Sequence, residues 1–180
     1  MHGFGAPSPW VERWSHLVPE GATVLDVACG AGRHMQWFAA RGHAVTGVDR
    51  SDEAVTAASR FGPVLQADIE SGPWPFDGQQ FGGVVVTNYL WRARLPDIVA
   101  AVAPGGVLLY ETFAAGNETV GKPSRPDFLL QPGELLSASA ALHVVAYENG
   151  FLPAPERFVQ RIAAVRAAAG QSVECRLFVL

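Results

Sequence analysis

Cysteine is scarce: Cys29 and Cys175 are the two in 180 residues, too few for a cross-linked framework and compatible with a reducing compartment. An excess of either charge is lacking as well. With 13 Lys+Arg against 17 Asp+Glu the formal net charge is -4, so composition offers no reason to expect a polyanionic partner. Arg33, Arg41, Arg50 and Arg60 are spread over helical patterns without interleaved aromatics and read as solvated faces. No apolar run approaches the ~18 residues of a membrane-spanning helix. The start, MHGFGAPSPWVERW, lacks the basic residues and apolar run of a secretory signal. A soluble cytoplasmic protein is expected, with neither membrane nor nucleic acid as partner. Repeats, low-complexity tracts and linkers are missing too, which leaves one domain over residues 1–180, 49% apolar and long enough to bury a core.

What the chain does have is alternation. From Ala22 onward the β-branched runs TVLDVA, HAVTGV and PVLQAD alternate with helical patterns at residues 35–41 and 52–60, the pattern of parallel strands joined by right-handed crossovers. FGGVVVTNYL and GGVLLYETF continue it, with a helix over residues 96–102 closed by Pro104-Gly105-Gly106. Their near-continuous apolarity marks a sheet covered on both faces. Upstream, SPWVERWSHLVP reads as a short amphipathic helix with Trp10, Trp14 and Leu17 on one side. Over residues 114–131 the pattern fails for longer than an ordinary connector allows, which suggests a lid over a crevice. Pro132 then suits a first helical position and Glu134 a first turn. HVVAYENGF, RFVQRIAAVR and VECRLFVL read as strands or mixed segments near the sheet edge, although RIAAVRAAA suits a helix equally.

The stretch VLDVACGAGRH is the informative one: strand, tight turn, helix start. Gly30 and Gly32 fit the first two positions of the dinucleotide fingerprint G-x-G-x-x-G, but the third is occupied by Met35. Asp26 also argues against a pyrophosphate, which a carboxylate repels, and favours a ligand with positive charge near the turn. Asp49 and Asp68 follow at the ends of the next two strands, where α/β sheets bind ligands. An acid after the second strand can accept two ribose hydroxyls, and one after the third the exocyclic amine of adenine. Amine, diol and adenine together describe S-adenosylmethionine. Taken singly, Asp26 suits a turn and Asp49 or Asp68 a helix cap.

These motifs resemble those of the class I S-adenosylmethionine-dependent methyltransferases: VLDVACGAGRH the first motif, VTGVDRS the second-strand acidic motif, LQADIE the adenine-contacting motif, VVVTNYLW and PGGVLLYETF the fourth and fifth strands. Ala28 stands where that family usually has glycine. The short chain and the ETFAAGNE…PDFLLQPGELL segment resemble the small tellurite-resistance-type branch. The resemblance implies a Rossmann-like three-layer α/β/α fold whose seven-stranded, mostly parallel mixed sheet has one antiparallel strand near its edge. It implies that Asp26 and the backbone of Ala28, Cys29, Gly30 and Gly32, with His34 beside them, lie along the methionine moiety. Asp49 and Arg50 would be at the ribose, and Ala67, Asp68 and Ile69 at the adenine. Asn88 and Tyr89 would stand beside the sulfonium.

Methyl transfer needs positioning and desolvation more than a dedicated base. Tyr89 and Glu111 are the catalytic candidates; Trp91, Arg92, Asn117 and Arg125 are the candidates for substrate contact. Lys122 and Arg125 in the expected lid favour an anionic acceptor. His34 reads more readily as a packing residue than as a base. No metal set is expected. The function expected is methyl transfer from S-adenosylmethionine to a small acceptor such as a thiol or metalloid oxyanion, by a monomer or homodimer. A non-catalytic cofactor-binding module and an NAD(P)-dependent oxidoreductase are the rivals.

Overall fold

The structure, a computed structural model, describes residues 5–168 and Gly170. Among the described residues seven strands form one sheet: β1 (Val24–Val27), β2 (Val45–Asp49), β3 (Val64–Gln66), β4 (Phe81–Thr87), β5 (Val102–Phe113), β6 (His143–Pro153) and β7 (Glu156–Val165). Their order is β3-β2-β1-β4-β5-β7-β6. The pairings from β3 to β5 are parallel, and β7 runs antiparallel to both β5 and β6. The mixed sheet with one reversed strand beside its edge is thus as expected, and the order turns back between β1 and β4, the switch point at which such sheets take ligands.

The helices α1 (Pro9–Trp14), α2 (Arg33–Ala39) and α3 (Asp52–Ala58) cover one face, where Trp10, Trp14, Met35 and Phe38 pack against Val24, Val85 and Leu109. The other face carries α4 (Leu95–Ala100) and α5 (Glu134–Ala138), with Ile98 and Leu135 against Val27, Val86 and Leu108. Local chemistry starts these helices as the sequence suggests. Ser8 and Ser51 cap α1 and α3 by accepting the Trp10 and Ala54 N–H groups, with Pro9 at the first position of α1.

Of the two readings open for RIAAVRAAA the strand holds over residues 161–165, with alternate residues Val159, Arg161 and Ala163 sharing one sheet face while Ile162 and Ala164 fill the other core. Two expectations need correction. Pro132 lies before α5, whose cap is Gly133 at φ 78. Residues 114–131 are not a featureless lid: they hold 3₁₀ turns at Asn117–Thr119 and Pro126–Phe128, an Ala114–Leu130 bridge, and buried Leu129 and Leu130. VECRLFVL lies outside the described residues. Among the described residues no helix is long and apolar enough to cross a membrane.

Candidate cofactor and acceptor site

The turn after β1 bends through left-handed backbone at Ala28 (φ 53), Gly30 (φ 52) and Gly32 (φ 81). A Cβ on Gly30 would meet nothing within 4 Å, so the backbone is open to a ligand there; one on Gly32 would lie 2.9 Å from the Ala58 Cβ, so this glycine lets α2 close on α3. Asp49 ties the turn to the end of β2: its Oδ2 accepts the Gly30 N–H at 2.9 Å and its Oδ1 the Ser51 N–H at 2.9 Å. The Cys29 thiol is buried in the core cluster with Met35, where burial pushes its pKa up, so the expectation for this residue concerns its backbone alone.

Beside the turn opens a pocket of about 140 Å³ between the ends of β1 to β4. Ala28, Asp49, Arg50, Ala67, Asp68, Ile69 and Tyr89 line it, all singled out from the sequence; Val48 and Glu70 complete it and were missed. Glu70 faces Arg50 at 3.7 Å across the rim. Asp68 is exposed and caps its own turn, its Oδ1 accepting the Glu70 and Ser71 N–H groups and its Oδ2 the Ser71 hydroxyl; these bonds hold its carboxyl below the usual range. The Tyr89 hydroxyl is buried with no hydrogen-bond partner among the described residues, and burial pushes its pKa up. Tyr110 donates to the Tyr89 carbonyl at 2.8 Å and so fixes the backbone that carries it. Asn88, exposed at φ 54, lies outside the pocket lining.

Asp26 is not at a strand end, as the sequence suggested, but third of the four residues of β1 and 2% exposed. Its Oδ2 lacks a hydrogen-bond partner among the described residues, and desolvation, opposed by Arg33, raises its pKa to about 7. His34 Nδ1 lies 4.0 Å from that oxygen, while Nε2 accepts the Ser8 N–H at 3.1 Å. An accepting Nε2 puts the ring proton on Nδ1, facing Asp26. Burial drops the His34 pKa to about 3, so the ring is a neutral strut between the N-terminal segment and β1, not a cofactor ligand.

Glu111 is corrected as well. It is 1% exposed, its Oε1 accepts the Ser8 hydroxyl at 3.0 Å, and Arg161 and Arg157 approach its oxygens at 3.2 and 3.5 Å. This buried carboxylate, with a hydroxyl and two guanidinium groups on its oxygens, ties the N-terminal segment and β7 to β5, which is a structural role.

The substrate candidates divide similarly. Arg92 donates to both Glu134 oxygens at 2.7 and 3.0 Å and to the Asp127 and Leu129 carbonyls at 2.8 and 2.9 Å, stapling residues 127–134 instead of reaching a ligand. Asn117 is buried and clasps the loop, donating to the Pro123 carbonyl and accepting the Phe158 N–H. Arg125 points outward and pairs with exposed Asp127. Trp91 is half-buried beside Arg92–Arg94. Arg94 went unnoticed in the sequence; it donates to the Ile69 carbonyl at 2.6 Å and to Asp97 at 2.8 Å, holding the Ile69 wall of the pocket to α4.

Residues 24–106 match the methyltransferase domain family. That span holds β1 to β4 and the pocket, and the fold is shared with solved S-adenosylmethionine-dependent methyltransferases, such as one from Methanosarcina mazei that superposes with a TM-score of 0.67 at 14% identity, covering 91% of this chain and 100% of that one. Within the fold, TehB from Haemophilus influenzae superposes with a TM-score of 0.69 at 18% identity, covering 89% of this chain and 62% of that one. A tRNA U34 carboxymethyltransferase of Pseudoalteromonas translucida is 29% identical over 174 residues, 84% of this chain and 53% of that protein. A malonyl-[acyl-carrier protein] O-methyltransferase of Serratia marcescens is 32% identical over 106 residues, 54% of this chain and 40% of that protein. The chain spans about half the length of the curated relatives it matches.

Proposed function

We propose that the protein binds S-adenosylmethionine in the pocket beside Ala28 and transfers its methyl group to a small-molecule nucleophile. The observation that carries this reading is the pocket at the switch point of the sheet, walled by Asp49, Ala67, Ile69 and Tyr89. The acceptor inventory of the chain fits the cofactor. Each Asp49 oxygen accepts one backbone N–H and keeps a lone pair for a ribose hydroxyl. Asp68 has three of its acceptor positions filled by its own turn and one left for the adenine amine. The unpartnered Asp26 Oδ2 and the open Gly30 backbone suit the methionine end.

When bound, the cofactor supplies a methyl carbon on a positively charged sulfur, and the protein contributes alignment and exclusion of water. Tyr89 walls the path of the acceptor without serving as a base, since burial holds its proton on. With Glu111 in ion pairs and His34 capped by Ser8, the acceptor brings its own lone pair, as a thiolate or oxyanion does. The acceptor size is the part the relatives leave open, because by name one acts on tRNA and another on a carrier-bound malonyl group. The net charge of -4 favours the small molecule.

The test is transfer of labelled methyl from S-adenosylmethionine to thiols, carboxylates and oxyanions, with bulk tRNA in parallel. Label in a small acceptor is expected. Label in tRNA alone would overturn the acceptor class, and cofactor binding without transfer to any of them would leave a binding module.

A further inference from the structure

Arg50 and Glu70 line the same pocket and meet across its rim, one directly after β2 and the other in the connection from β3 to β4. Their backbones are fixed. Asp49, just before Arg50, gives its carbonyl to the Ala67 N–H at 3.0 Å and its Oδ1 to the Ser51 N–H at 2.9 Å. The Glu70 N–H donates to Asp68 at 3.0 Å, and Arg94 holds the carbonyl of the preceding Ile69 at 2.6 Å. The two side chains are looser. Arg50 is 69% exposed and Glu70 27%, and Arg50 Nη1 lies 3.7 Å from Glu70 Oε2, beyond hydrogen-bond length. A pair so exposed contributes little to stability, and its place at the pocket mouth gives it a different use.

The pocket wall suits a flat ring. Val48, Ala67 and Ile69 are apolar and Tyr89 is aromatic, so a purine seated against them buries one face and turns the other to the mouth. Arg50 is the one cation among the described residues that line the pocket, beside the carboxylates of Asp49, Asp68 and Glu70. A guanidinium is planar and delocalised: its edge can donate to a carboxylate while its face lies on an aromatic ring. Asp49 is engaged with the Gly30 and Ser51 N–H groups and Asp68 with its own turn, which leaves Glu70 as the acid that aims Arg50. We infer that Arg50 closes over the outer face of the bound adenine, its guanidinium stacked on the ring, and that Glu70 is the positioning residue that holds it there. On the methyl-transfer reading, from which this follows, Arg50 moves from the ribose, where the resemblance puts it, to the base, and Glu70 joins the site.

The test is calorimetric titration of S-adenosylhomocysteine, and of its 2′-deoxy analogue, which keeps the base and lacks one ribose hydroxyl, into the wild-type protein and its variants. Arg50→Ala is expected to weaken both ligands by the same factor, about fivefold or more. Arg50→Lys, which keeps the charge and loses the plane, should regain only part of that loss. Glu70→Gln should weaken binding about twofold on its own and not at all in combination with Arg50→Ala, a non-additivity that a merely structural Glu70 would not produce. Both side chains lie outside the core clusters, and unfolding midpoints equal to wild type check that the variants keep the fold. Unchanged affinity in Arg50→Ala, a loss confined to the ligand with the complete ribose, or Arg50→Lys equal to wild type overturns the stacking. A Glu70→Gln effect that is absent, or that persists without Arg50, overturns the positioning role. Absence of S-adenosylhomocysteine binding to the wild-type protein sinks the methyl-transfer reading and this inference with it, whereas binding indifferent to Arg50 sinks this inference alone.

Discussion

His34 Nδ1 sits 4.0 Å from the Asp26 Oδ2, both side chains buried, one ring nitrogen from the Ser8 N–H that the same imidazole accepts. The pair titrates in opposite senses. For His34 the folded pKa of about 3 lies below the unfolded 6.5, so the unfolded chain holds the extra proton in that window and stability falls as pH drops through it. For Asp26 the folded value of about 7 lies above the unfolded 3.8, so the folded chain holds the extra proton and stability falls as pH rises through that window. Between pH 3.8 and 6.5 the two slopes oppose each other. Asp26→Asn should therefore lose stability, relative to wild type, as pH falls from 6.5 toward 4, whereas His34→Gln should lose it as pH rises from 4 to 7. Denaturant midpoints across that range measure both slopes; parallel curves for the three proteins would contradict the coupling.

Asp49→Ala should weaken S-adenosylhomocysteine binding by roughly 1.5 to 3 kcal/mol, the range for hydrogen bonds to a charged group. Part of the loss is indirect, because the Gly30 N–H loses its anchor at the same time. Calorimetry measures it, and unchanged affinity removes Asp49 from the site.

Arg92→Ala should lower stability by about 1 to 3 kcal/mol, the cost of breaking charge-assisted hydrogen bonds and stranding their partners. Glu134 and two loop carbonyls lose donors. Faster amide exchange across residues 127–134 is the accompanying signature, and exchange identical to wild type would show that the staple holds nothing.

Ala28→Gly should raise stability by about 1 kcal/mol, since an L-residue in the left-handed region costs on the order of 1–2 kcal/mol and Ala28 sits at φ 53. Chemical unfolding decides it. A destabilised variant would mean that the Ala28 methyl contributes packing greater than its backbone strain.

The pocket was legible in the sequence because its residues sit at fixed offsets from strand ends: Asp49 closes β2, and Ala67, Asp68 and Ile69 follow β3 directly. Periodicity and turn chemistry reach that far. They do not reach contacts such as Ser8 to Glu111, 103 residues apart, which turned an apparent base into an anchor. Arg33 read as a solvated helix residue for the same reason, as nothing near it in sequence announces Thr87, 54 residues on. Arg92 and Asn117 looked like ligand contacts because they are polar and near the expected crevice; their partners are loop carbonyls and distant backbone that only the folded chain assembles.

On the proposed reading the pocket beside the Gly30 turn holds a methyl donor and not a dinucleotide. The direct measurement is calorimetric titration of the protein with S-adenosylhomocysteine, with NADH titrated in parallel. Micromolar binding of S-adenosylhomocysteine alone, weakened by Asp49→Ala, is the result predicted. Binding of NADH alone would contradict the claim and leave the fold without its function.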